Sequence, residues 1–163
     1  QDLANQLILM MQWRNFSQVL KEALDRYQRQ QIFLSFNGGK DCTVLLHILS
    51  QLLKDTISDF KVIYFRSADP FKEIEDFVES CETFYGVSIS SLNADTSMKE
   101  VLTKICENDK EISACVMGSR RTDPYCENLN SFQVGQTRFA LIIAKHSFHF
   151  IANWSWLAKT YEN

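Results

Sequence analysis

The chain has 163 residues, is 45% hydrophobic and carries a formal net charge of −3, which is long and apolar enough for one full core. That balance excludes a general attraction to nucleic acid or to a membrane surface, because any basic face would have to be local. Five cysteines (Cys42, Cys81, Cys106, Cys115, Cys126) lie scattered with no Cys-x-x-Cys pair, which argues against a zinc site or disulfide framework and for a reducing compartment. No basic-then-apolar signal sequence precedes the first periodic segment, and no uncharged run reaches the roughly 18 residues of a membrane span. The expectation is a soluble, cytoplasmic protein, and its opening on Gln1 is what a fragment or a processed product would show. Nothing in the sequence sets an oligomeric state.

Over about 3–27, Trp13, Phe16, Leu20, Leu24 and Tyr27 recur at helical spacing, with Gln12, Gln18, Lys21 and Arg26 on the other face. This predicts an amphipathic helix, or two shorter ones, that covers a sheet. A short apolar strand over 31–36 follows, then two glycines, then a crossover helix over 41–54. After a polar break at 55–59, the β-branched and aromatic run 61–66 predicts a second strand. Ser67 or Asp69 is positioned to cap the next helix, with Pro70 just inside it. That helix, over 71–85, is expected to bury Phe71, Ile74, Phe77, Val78 and Phe84, with Gly86 closing it in the left-handed conformation.

A third strand is expected over 87–92. Ser97 and Glu100 match a capping box ahead of Val101, Leu102, Ile105 and Cys106. A short strand over 114–117 is expected to stop at Gly118. Helices alternating with strands at this spacing predict an α/β fold, a Rossmann-like open parallel sheet flanked by helices. The stretches 139–144 and 148–157 are apolar and fit either helix or strand, and His146 and His149 lack companions for a metal site.

In such a sheet ligands bind beyond the carboxyl ends of the strands. Three connections leave those ends with unusual chemistry. The first runs from Ser35 through Asn37, Gly38, Gly39, Lys40 and Asp41 to Cys42. Glycines without a Cβ let a polyanion approach the backbone, the helix N-terminus offers N–H groups and positive potential, and Lys40 adds a cation. The physical reading is a phosphate cradle; the bland one is an ordinary strand–turn–helix connection. It is neither the Walker pattern nor the three-glycine dinucleotide fingerprint. For Cys42, a small residue packed near the loop is favoured over a catalytic thiol.

The second connection is Phe65-Arg66-Ser67, continuing to Asp69-Pro70-Phe71. The third is Gly118-Ser119-Arg120-Arg121-Thr122-Asp123-Pro124-Tyr125. There, Arg120 or Arg121 suits a phosphomonoester, Asp123 suits Mg²⁺ or a ring N–H, and Tyr125 suits a flat heterocycle. A solvated arginine pair with Asp123 capping a turn is the bland alternative.

The Asn-Gly-Gly-Lys-Asp-Cys loop resembles the pyrophosphate loop of the PP-loop enzymes, in the form found in eukaryotic FAD synthases, the FMN adenylyltransferases. The Gly-x-Arg-x-Thr-Asp-Pro segment resembles their flavin-binding motif, and 64–77 is similar to the stretch after their second strand. This likeness covers about 16–132. It implies a PAPS reductase-like FAD synthase domain at 1–132, followed by an atypical tail at 133–163, truncated or divergent. It implies that ATP is held by Ser35, Asn37, Gly38, Gly39, Lys40, Asp41 and Cys42, with Phe65, Arg66 and Ser67 beside the adenosine. Gly118, Arg120, Arg121, Thr122, Asp123 and Tyr125 would hold FMN. The implied catalytic set is Asn37, Lys40, Asp41, Arg120 and Asp123, with Mg²⁺ on Asp41 or Asp123 and FAD as product. A truncated binding form of the same family is the alternative. A sulfonucleotide reductase fits less well, because no cysteine follows Cys126.

Overall fold

The structure, a computed structural model, describes residues 2–119, 131–134 and 140–145. A long helix α1 (Asp2–Arg26) leads into strand β1 (Ile32–Phe36), helix α2 (Lys40–Leu53) and strand β2 (Lys61–Arg66). Helix α3 (Lys72–Tyr85), strand β3 (Ile89–Asn93), helix α4 (Met98–Asn108) and strand β4 (Ala114–Ser119) follow. Two further strands, β5 (Phe132–Val134) and β6 (Ala140–Lys145), complete a six-stranded sheet of order β3-β2-β1-β4-β6-β5. The expected open α/β sheet is present, parallel from β3 to β6, with β5 added antiparallel at the edge.

Alternation along β1 sets the layers. Ile32, Leu34 and Phe36 join Val62, Tyr64 and Val116 under α1, α2 and α3, where Phe16, Leu20, Leu45, Val78 and Cys81 are buried. Phe33 points the other way, into a smaller cluster with Phe65, Cys115, Val101 and Ile105 of α4. Covered on both faces, β1 needs apolar residues at successive positions, and so it reads as a continuous hydrophobic run. Arg26, at the end of α1, lies 4.2 Å from the centre of the Phe132 ring on β5. No described helix is long and apolar enough to cross a membrane.

Several local expectations are corrected. Helix α3 begins at Lys72 with Phe71 as its N-cap residue and no side-chain cap, so neither Ser67 nor Asp69 caps it and Pro70 lies before it. Phe71 is therefore outside the helical register and 74% exposed. The expected Val78 is buried and Ile74 and Phe77 pack against the core, but Cys81 and Tyr85, following Val78 at successive spacings of three and four, complete the buried side, while exposed Phe84 sits edge-on to Tyr85. Strand β3 starts late because Val87 is still tied to the helix end, its N–H donating to the Glu82 carbonyl. Gly86 does close α3 in the left-handed conformation, and the Ser97 side chain accepts from the Glu100 N–H. The polar break is a 3-10 helix, Lys54–Asp59, anchored by buried Ile57. Gly118 lies inside β4, paired with Ala144 of β6, because a parallel neighbour continues the ladder past it.

Beneath the sheet, buried His47 of α2 has its Nδ1 3.3 Å from the Tyr85 hydroxyl and its ring 5.8 Å from that of Trp13. Burial lowers the His47 pKa below 6.5. The unfolded chain therefore takes up the proton first as pH falls, so stability declines below about 6.5 toward the lower folded value. The urea unfolding midpoint should fall between pH 7 and 5.5, and His47→Gln should flatten that dependence. An unchanged slope in the variant would assign the acid sensitivity elsewhere.

Candidate active site

The turn after β1 is built by local chemistry. Gly38 has φ of +73°, a left-handed conformation that a Cβ disfavours. A Cβ there would also lie 2.6 Å from the Ile74 side chain of α3. Gly39 is the N-cap residue of α2. The Asn37 side-chain oxygen accepts the Gly39 N–H at 2.9 Å, an Asx turn that folds the loop back on itself. One loop amide is thus used internally, whereas the glycine pair by itself suggests that all the loop amides face a ligand. The Thr43 hydroxyl donates to the Gly39 carbonyl at 2.8 Å and fastens the turn to the helix.

Cys42 packs under this turn. Its sulfur is 3.0 Å from both the Asn37 side-chain oxygen and the Gly39 carbonyl, and it accepts the Asn37 N–H at 3.4 Å. Burial pushes its pKa up, only partly offset by the backbone hydrogen bonds. The thiol therefore stays protonated near neutral pH and packs the loop, as expected for a small residue there.

Beyond the carboxyl ends of β1, β2 and β4 lies a cavity of about 560 Å³. Ser35, Asn37, Gly39, Lys40, Asp41 and Cys42 line it from the first connection, Phe65 and Ser67 from the second, and Gly118 from the third. Strand order reverses between β1 and β4, so their outgoing chains diverge and leave a crevice there. Gly118 permits this closeness: a Cβ there would stand 3.2 Å from the Asp41 backbone and Cβ and from the Cys42 nitrogen. The first two connections and the opening residue of the third, Gly118, thus meet at one place.

Arg66 turns away. Its guanidinium pairs with Glu75 of α3 and does not line the cavity. The hydrogen bond from Arg66 holds the Glu75 carboxyl below its ordinary range. Ala94, Met98 and Met117 supply an apolar wall that sequence reasoning missed. Their signal was positional: Ala94 directly follows β3, Met98 opens α4 and Met117 precedes Gly118. The Ala94 N–H donates to the Arg66 carbonyl at 2.8 Å, which draws this wall against the end of β2. Arg120, Arg121, Thr122, Asp123 and Tyr125 lie outside the described residues, as do His146, His149 and the stretch 148–157.

Asp41 is the one carboxylate among the described residues that line the cavity, and no cluster of three or more His, Cys, Asp or Glu side chains occurs among them. That donor set does not suit a dedicated metal cage. It does suit Mg²⁺, which commonly takes one or two carboxylates and fills the rest of its shell with substrate phosphates and water.

A glycine turn and a lysine at a helix N-terminus, beside an apolar slot at a sheet switch point, define an α/β domain of the PP-loop kind. The chain belongs to the phosphoadenosine phosphosulfate reductase domain family, whose match covers residues 31–157. It is 30% identical to a probable FAD synthase of Schizosaccharomyces pombe over 86% of this chain and 57% of that protein. A probable FAD synthase of Caenorhabditis elegans is 32% identical over 74% of this chain and 23% of its own length. Among solved structures, Candida glabrata FMN adenylyltransferase in complex with FAD and inorganic pyrophosphate superposes with a TM-score of 0.75 at 28% identity. That superposition covers 90% of this chain and 56% of the other. The chain thus spans little more than half the length of the first relative and of this solved structure.

Proposed function

We propose that the chain is an FMN adenylyltransferase, which transfers AMP from ATP to the phosphate of FMN to give FAD and pyrophosphate. The observation that carries this reading is the single cavity shared by the glycine loop, Lys40 and Gly118, in a chain similar to FAD synthases. In the reaction an FMN phosphate oxygen attacks the ATP α-phosphorus, and the bond from that phosphorus to the bridging oxygen breaks as pyrophosphate leaves. No protein nucleophile is needed, because the attacking phosphate is already anionic near neutral pH. Positioning and charge neutralisation are then the main catalytic tasks.

The loop from Ser35 to Cys42 holds the ATP phosphates, with Asn37, Lys40 and Asp41 acting on them. Phe65 and Ser67 flank the adenosine, with Arg66 at the end of β2 held to Glu75 beside them. The FMN side consists of Gly118 with Arg120, Arg121, Thr122, Asp123 and Tyr125; Arg120 and Asp123 complete the catalytic set. Asp41, together with Asp123, would hold Mg²⁺, which when bound neutralises charge on the leaving phosphates. Residues 1–132 form the nucleotide- and flavin-binding part, and 133–163 a divergent tail. Free cysteines at Cys42, Cys81, Cys106 and Cys115 fit a reducing compartment, and we place the protein in the cytoplasm. Its partners are its small-molecule substrates, with no role for nucleic acid or membrane.

Incubating the purified chain with FMN and Mg-ATP, then separating flavins and measuring pyrophosphate, tests the proposal. FAD and pyrophosphate should appear in equal amounts. Binding of ATP or FMN without turnover would mark the chain as a non-catalytic form of the family. Binding of neither would overturn the reading.

A further inference from the structure

The underside of the glycine loop carries a contact set that phosphate binding alone does not explain. The Asn37 side-chain oxygen faces two donors, the Gly39 N–H at 2.9 Å and the Cys42 thiol at 3.0 Å. The same sulfur accepts the Asn37 N–H, so backbone and side chain of Asn37 are both tied to Cys42. A carboxamide is planar, with its oxygen and nitrogen on opposite sides. The Gly39 N–H fixes the oxygen inward, because turning the amide round would set N–H against N–H, and Nδ2 then lies on the opposite side of the carboxamide carbon. Asn37 is exposed and on the cavity lining, whereas Cys42 is only 5% exposed.

On this geometry, and resting on the proposed function, we propose that Cys42 is a positioning residue. Its thiol locks the Asn37 carboxamide so that Nδ2 donates to a phosphate of the bound nucleotide. This supplies a donor in place of the Gly39 N–H that the Asx turn consumes. Sulfur suits the task because its long bond to Cβ and large radius let one atom meet Asn37 and the Gly39 carbonyl together. Cys42 touches no reacting atom; it acts through Asn37.

The test is calorimetry of ATP and of inorganic pyrophosphate with the full chain, with FMN binding and melting temperature measured in parallel. Cys42→Ala and Asn37→Ala should each weaken ATP and pyrophosphate binding about tenfold, the scale of one lost hydrogen bond. The double variant should be no weaker than Asn37→Ala alone, because the thiol works only through that amide. Cys42→Ser should recover part of the loss. Asn37→Asp, which keeps the inward oxygen but puts negative charge in place of Nδ2, should bind worse than Asn37→Ala. FMN binding should be unchanged in all five. If Cys42→Ala does not fold, Cys42→Ser in the native and Asn37→Ala backgrounds carries the same comparison. Additive losses, or Asn37→Asp binding as tightly as the native chain, would overturn the brace and leave the functional reading standing. A native chain that bound no ATP would instead overturn that reading, and the brace with it.

Discussion

Lys40→Ala should lower kcat/KM for FAD formation by about 10²–10³-fold, the usual scale for removing one preorganised group that stabilises transition-state charge. Its melting temperature should shift by no more than about 2 °C, the scale expected of a substitution outside the core and its caps. The two parts have separate physical origins. Lys40 begins α2 directly after the glycine turn and lines the cavity, where the phosphates of ATP would gather. Among the described residues it forms no ion pair, so its loss strips none of them of a charge partner. Alanine at the first helical position is also no worse a helix former than lysine. Lys40→Arg should recover only part of the rate, because a planar fork does not reproduce a compact ammonium. Steady-state rates read beside thermal melts decide the matter. Full activity in Lys40→Ala would remove the loop from the mechanism.

Gly38→Ala should damage fold and site together. At φ of +73° a Cβ costs about 1–2 kcal/mol in the backbone. The new methyl would stand 2.6 Å from the Ile74 side chain, and Ile74 is β-branched on a packed helix, so it has little rotamer freedom to yield. Overpacking of this kind adds about 1–3 kcal/mol, for a total loss of about 2–5 kcal/mol in urea unfolding. ATP binding should weaken as well, because the loop must move off α3 to make room. Ile74→Ala in the same chain should return the overpacking part but not the backbone part. The double variant should therefore be more stable than the sum of the two single losses predicts. Strict additivity would show that the clash relaxes by another route.

Much of this architecture was legible in local pattern. The continuous apolar run at β1, the glycine pair, the apolar stripe of α1 and the Gly86 stop each rest on residues a few positions apart. The errors arose where a neighbour distant in sequence decided the outcome. Phe71 and Phe84 read as core, yet α3 starts one residue later and buries Cys81 and Tyr85 beside the expected Val78. Gly118 read as a strand end, yet β6 pairs along its far side and carries β4 through it. Arg66, the last residue of β2, was set beside the adenosine by the resemblance, but Glu75, nine positions on, takes its guanidinium. The wall of Ala94, Met98 and Met117 carries no motif, since apolar side chains become a pocket only when separate strand ends are brought side by side.

By itself the sequence determined the order of elements and the chemistry of the glycine loop. Periodicity, turn residues and the run from Asn37 to Cys42 act over distances that the backbone spans locally. Only the tertiary structure decided that the glycine loop, the end of β2 and Gly118 share one cavity, and which face of each helix is buried. Those facts depend on strand order and register. Both are set by the summed burial of side chains far apart in the chain, which no short stretch encodes.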